Sequence, residues 1–195
     1  MPQKQRADAR SNRERVVAAA RETFAAAGLE VPMREVARRA GVGVATLYRH
    51  FPTRTELVTT VLAERVEACG VQMRRALDDP DPWRALSTTV LEFADRQIHD
   101  QALNEALLGS GDLSAAFQQE RREHTQALNV LVARARAAGT VRDGVDADDV
   151  RAGLLAIAAL RRLPPTARGQ VIGKLADLIL AGIRSQRTHP DRPRP

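Results

Sequence analysis

A chain of 195 residues is long enough for one medium domain or for two unequal units, and either can bury a real core. The formal net charge of +6 sits at one end: residues 1–54 hold 11 Lys and Arg against 5 Asp and Glu, while residues 55–195 hold 19 of each. That asymmetry points to a polyanion-binding module on an electrically balanced body, and no run of about 18 apolar residues is present to span a bilayer.

Nucleic acid is the first polyanion to consider and a membrane surface the competing one. The opening stretch, MPQKQRADARSNRER, has no apolar segment of the kind a secretory signal carries, so a cytoplasmic location is expected. Cys69 is the single cysteine. It cannot form an intramolecular disulfide or a thiolate metal cluster by itself, and Val66 and Met73 at helical spacing around it predict a buried structural thiol.

Ala, Leu, Arg and Glu dominate and β-branched runs are scarce, so the expected fold class is all-α, with helix ends set by Gly and Pro. Residues 1–11 read as a basic flexible arm, either solubilising or touching phosphates. A first helix follows from about Asn12 to Ala27, with Val16, Ala20 and Phe24 on one face and Gly28 as its stop. Pro32 opens a short second helix, Met33 to Ala40, with Val36, Ala37 and Ala40 inward. Gly41 ends it, and a third helix begins after Gly43.

From Thr53 a long amphipathic helix reaches about Asp78 on a stripe of Leu57, Val61, Leu62, Val66, Cys69, Met73 and Leu77. DDPDP breaks it. Further helices are predicted at about Pro82 to His99, Gln101 to Leu108, Leu113 to Ala138, Asp148 to Leu163 and Ala167 to Ser185, separated by GSGD, AGTVRDGVDA and LPPT. The expected division is a helix-turn-helix domain at 12–54, a helical regulatory and dimerisation domain at 55–186, and a disordered tail at 187–195.

The order AGVGVATLYRHFPTR, residues 40–54, suits a helix-turn-helix. A small residue at Ala37 lets two helices cross closely, Gly41 takes the positive φ of the turn, and Leu47 packs back into the crossing. The first turn of the following helix, Val44-Ala45-Thr46, is then free to enter a groove. Tyr48, His50 and Arg54 are spaced to reach phosphates on either side. Tyr48 has a second reading, as a core aromatic, and Phe51 reads as core. Arg38 and Arg39 are equally a solvated face.

The longer stretch VPMREVARRAGVGVATLYRHFPTRTELV resembles the DNA-binding signature of the TetR family of one-component transcriptional regulators. AGV, TLYRHF and a basic residue after the proline occur together and in order, directly after a helix ending AAAG. The resemblance covers residues 12–62. It implies an N-terminal three-helix DNA-binding unit joined to a larger helical body that dimerises and holds an effector pocket. Carried over residue by residue, it makes Val44, Ala45, Thr46 and Tyr48 the recognition-helix contacts with Arg49 beside them, His50 and Arg54 phosphate contacts, and Arg34 a base reader from the preceding helix. Pro32 and Gly43 stand where the family often has Thr and Ser, so two hydroxyl contacts to phosphate are missing. Arg38, Arg39 or the basic stretch before Val16 are the candidates to replace them.

In the body, Val171, Leu175, Leu178, Ile179 and Ile183 make one face of the last helix, thickened by Ile172 and Leu180. The preceding helix adds Val150, Leu154, Leu155, Ile157 and Leu160. Two such helices can cover the body on one side and a copy of themselves on the other, which predicts a homodimer through Leu154, Ile157, Val171, Leu175, Leu178, Ile179 and Ile183. Burial within one chain is the other reading. An effector pocket is expected among the helices from Trp83 to Leu131, with Phe93, Leu103, Leu107 and Phe117 as apolar walls and His99, Asn104 and His124 as polar groups. With only 3% of the chain aromatic, a smaller or aliphatic small-molecule effector suits it better than a large planar one.

No catalytic constellation is present: His99 and His124 lie far apart, and neither a Gly-rich phosphate loop after a strand nor a nucleophile elbow occurs. His50, His99, His124 and His189 lack short ligand spacing, so neither a metal nor a cofactor is expected. A non-sequence-specific architectural DNA-binding protein would also be basic at one end. Over a hundred residues of charge-balanced helix favour instead a regulated dimer on a palindromic DNA operator, a repressor released by a small molecule.

Overall fold

A computed structural model describes residues 2–108, 116–160 and 163–185, and the side chains of these except 2–9, 101 and 165. The described residues form nine helices: α1 Pro2–Ala27, α2 Met33–Ala40, α3 Val44–His50, α4 Arg54–Asp78, α5 Pro82–His99, α6 Gln101–Leu108, α7 Gln118–Ala137, α8 Ala147–Ala159 and α9 Pro165–Ile183. The expected tail at 187–195 and the expected helix start at Leu113 lie outside the described residues. Among those described, no helix is long and apolar enough to cross a membrane.

Four helix ends differ from expectation, three for a local reason and the last through a long-range contact. Helix α1 begins at Pro2 rather than near Asn12, so the stretch read as a flexible arm is helical from Pro2. No Gly or further Pro interrupts residues 3–27, and Gln, Arg and Ala are good helix formers. Helix α8 stops at Ala159, short of Leu163, as the chain approaches Pro164 and Pro165. Pro165 itself opens α9, where its missing N–H costs nothing. The same helix ends at Ile183 because Arg184 turns extended and bridges to Val141, while Ser185 N–H donates to the Thr140 carbonyl at 2.9 Å.

The chain divides into two compact units, Met1–Gln72 with Asp95–Glu123, and Met73–Ala94 with His124–Pro195. This division does not follow the expected one at residue 54. Leu57, Val58, Val61 and Leu62 of α4 join Val16, Ala20 and Phe24 of α1, Val36 of α2 and Leu47 of α3 in a single core, and α6 adds Ala102, Leu103, Ala106 and Leu107. Cys69 is buried in that core and forms no disulfide. Met73 and Leu77, at the end of the α4 stripe, are half-buried.

In the second unit Ala85, Leu86 and Val90, Leu128, Leu131 and Val132, Val150, Leu154 and Ile157, and Ile172, Ala176 and Leu180 are buried. Asp146 starts α8 with a reciprocal cap, its carboxylate accepting from the Asp148 and Asp149 amides while Asp149 reaches back to the Asp146 amide. Gly153 lets α8 and α9 meet closely, since a Cβ there would stand 3.1 Å from Ile179 Cδ1.

Candidate nucleic-acid interface

The turn between α2 and α3 is built on Gly41, whose φ of 63° and ψ of 35° are left-handed. Val42 N–H returns to the Ala37 carbonyl at 3.0 Å and Gly41 N–H to that of Arg38 at 3.2 Å, closing the end of α2. Ala37 and Leu47, both fully or almost fully buried, fill the crossing. Arg15 of α1 completes the turn: its Nη2 donates to the Ala40 carbonyl at 2.6 Å and to that of Gly41 at 2.9 Å. A side chain on residue 41 would strike that guanidinium at 2.6 Å. Sequence reasoning placed Arg15 only in a basic stretch, because nothing in spacing joins it to carbonyls about 25 residues on.

Burying Leu47 fixes the rotation of α3 and turns its other side to solvent. Val44 is 44% exposed and Tyr48 45% exposed, Ala45 and Arg49 are exposed, and Thr46 and His50 are half-buried. Tyr48 is therefore not a core aromatic, whereas Phe51 is, at 1% exposure. Arg34 of α2 is also exposed and has no ion-pair partner among the described residues.

Three further basic residues are engaged within the fold. Arg38 grips Glu35 through two bonds of 2.7 and 2.8 Å, and Arg39 adds a third of 2.8 Å. Hydrogen bonds from Arg38 and then Arg39 hold the Glu35 carboxyl at about 2, well below its ordinary value. The cluster keeps a net positive charge on the α2 surface. Arg54, expected at a phosphate, is half-buried: Nη1 donates to the Val31 carbonyl at 2.6 Å, the guanidinium lies 5.9 Å from the Phe24 ring centroid, and Nη2 is buried without a hydrogen bond. Arg54 thus braces the segment ahead of α2.

The residues expected around an effector fall in both units. Leu103, Leu107 and Phe117 belong to the core of the first unit, and Asn104 is buried there with its Nδ2 donating to Gln97 Oε1 at 2.9 Å. His99 instead stands exposed at the end of α5, its ring beside the Asp95 carboxylate at 3.2 Å. In the second unit Phe93 is buried and His124 half-buried.

The residues expected at a dimer face divide by burial. Leu154, Ile157 and Ile183 are buried within the chain, and Leu175 and Ile179 are half-buried. Val171 and Leu178 are exposed, with Leu155 of α8, which the expected interface omitted.

A short helix locked by one buried leucine behind a glycine turn, with small and polar residues facing out on a basic surface, defines a helix-turn-helix DNA-binding protein. The family of bacterial regulatory proteins typified by TetR matches residues 16–61, and the C-terminal domain of SbtR-like transcriptional regulators matches residues 81–185. The chain belongs to the TetR family of transcriptional regulators. It is similar to the TetR transcription regulatory protein of Mycobacterium vanbaalenii, 38% identical with a TM-score of 0.54 over 92% of this chain and 99% of that one. The ketosteroid transcriptional regulator KstR2 of Mycobacterium tuberculosis shares the fold, with a TM-score of 0.68 at 21% identity over 89% of this chain and 95% of that one. An uncharacterised HTH-type transcriptional regulator of Pseudomonas putida, TtgW, is 31% identical over 93 residues, 47% of this chain and 69% of that protein.

Proposed function

We propose that this DNA-binding regulator is a homodimeric repressor that leaves a palindromic operator when a small molecule binds. The observation that carries the DNA-reading part is the α3 surface, where Val44, Ala45, Thr46, Tyr48 and Arg49 stand clear of the Leu47 that anchors them. Arg34 pairs with guanine, the Thr46 methyl meets thymine, and His50 lies at the phosphates. Arg54 acts behind them, as a brace.

An operator-bound dimer presents two such helices, so its half-sites lie about 34 Å, or one helical turn, apart or at a multiple of that distance. Exposed Leu178, Val171 and Leu155 on α8 and α9 support self-association through these two helices. The scarcity of aromatic residues supports a small or aliphatic effector. Repression needs only exclusion of polymerase, and release needs an effector whose affinity differs between the free and DNA-bound forms. The protein acts in the cytoplasm, as a regulator and without catalysis.

Selecting bound sequences from random DNA tests this reading. Enrichment of an inverted repeat is expected. Recovery of unrelated sequences at equal affinity would instead mark an architectural protein. Compounds that stabilise the protein in a thermal-shift screen are then added to the bound operator, and release by at least one of them is expected.

A further inference from the structure

The connector between α1 and α2, residues 28–32, is held by two helices that lie outside the helix-turn-helix. Gly28 adopts a φ of 75°, in the left-handed region. Over it reaches Glu105 of α6, whose Oε2 accepts the Leu29 N–H at 2.6 Å. The approach is so close that a Cβ on residue 28 would stand 2.5 Å from Glu105 Oε1. Leu29 is buried, so its amide needs a partner, and a carboxylate is a strong one. At the far end of the connector Arg54 of α4 takes the Val31 carbonyl. Pro32, which follows directly, accepts the first amides of α2 from Glu35 and Val36.

We infer that Glu105 is a positioning residue for DNA binding. Its own helix is fixed on the apolar side by Ala102, Leu103, Ala106 and Leu107, all buried in the core that also holds α1 to α4. The carboxylate is the polar hold of that helix on the connector. By fixing Gly28 and Leu29 it fixes where α2 starts, and α2 carries α3 through the Gly41 turn. Gly28 is the matching half of the device, because any side chain there displaces the carboxylate. This inference rests on the reading of α3 as the DNA-binding surface, and a comparison within one protein series separates the two.

The test measures binding of wild type, Glu105→Gln, Glu105→Ala, Gly28→Ala and the Glu105→Ala/Gly28→Ala double variant to a DNA site selected by the wild type, at several salt concentrations. Amide exchange at Leu29 and the folded fraction are followed alongside. Glu105→Ala is expected to weaken binding about tenfold, or about 1.4 kcal/mol, beyond any change in folded fraction. The salt slope and base preference stay as in wild type, since no phosphate or base contact is lost. Glu105→Gln keeps a carbonyl acceptor and restores most of the affinity. Gly28→Ala costs less in the Glu105→Ala background than in wild type, because the clash has been removed. Wild-type affinity in well-folded Glu105→Ala with a freely exchanging Leu29 amide would overturn the inference, as would additive losses in the double variant. A loss that only tracks the folded fraction would overturn it too. Failure of the wild type to select any site strikes at the DNA-binding reading itself.

Discussion

Arg54 shows how the fold can take a cation that the sequence offers to DNA. The basic residue after Pro52 was legible, but the Val31 carbonyl that receives it lies 23 residues earlier, and no local pattern brings the two together. The expected result of Arg54→Ala is a loss of about 1–2 kcal/mol in denaturant unfolding, from one charge-assisted hydrogen bond and a cation–ring contact. The salt slope of DNA binding by the folded variant should not change, whereas a phosphate contact would lower it by about one unit. Glu35, by contrast, was within reach of spacing, since Arg38 and Arg39 follow it at i+3 and i+4 on one helix. Its carboxyl titrates at about 2 when folded and near 4.5 otherwise. A lowered folded value means stability that is present above about 4.5 and disappears as pH falls toward about 2. Unfolding measured across that window should therefore show a pH-dependent loss that Glu35→Gln removes in part, and added salt should weaken the difference because the group is exposed.

At the scale of elements, periodicity located most helices, and glycine and proline located many of their ends. The α2–α3 pair was legible from Ala37, Gly41 and Leu47 because those three positions leave little freedom in how two short helices cross. The ends of α1 and α9 were not. A polar stretch such as residues 3–13 is as compatible with a solvated arm as with a solvated helix. Arg184 leaves α9 only because Val141, more than forty residues away in the chain, offers a bridge. Leu47 is the apolar anchor of α3, with no exposed surface. Leu47→Ala should cost about 2–5 kcal/mol, measured by thermal or denaturant unfolding, and should weaken DNA binding further than its folded fraction explains. A loss below about 1 kcal/mol would show that α3 is held by something other than this side chain.

For the whole molecule, the charge count identified the end that meets DNA, since it needs no knowledge of folding. The body was less legible. Counting apolar residues on α8 and α9 showed a surplus but could not divide it between the chain's own core and a second copy. The fold takes Leu154, Ile157 and Ile183 for itself and leaves Leu178 69% exposed. Light scattering on Leu178→Glu should show a monomer where the wild type is a dimer, and an unchanged dimer mass would move the interface off this face. On the proposed function, the α3 surface with Arg34 reads DNA sequence. Titration of wild type and Arg34→Ala against the selected palindrome, its single-base variants and a scrambled duplex tests it most directly. The wild type should prefer the palindrome over the scrambled duplex by about a thousandfold or more. Arg34→Ala should lose about 1–3 kcal/mol on the palindrome and relax the choice at one base position per half-site. Equal wild-type affinity for palindrome and scrambled duplex would contradict the claim.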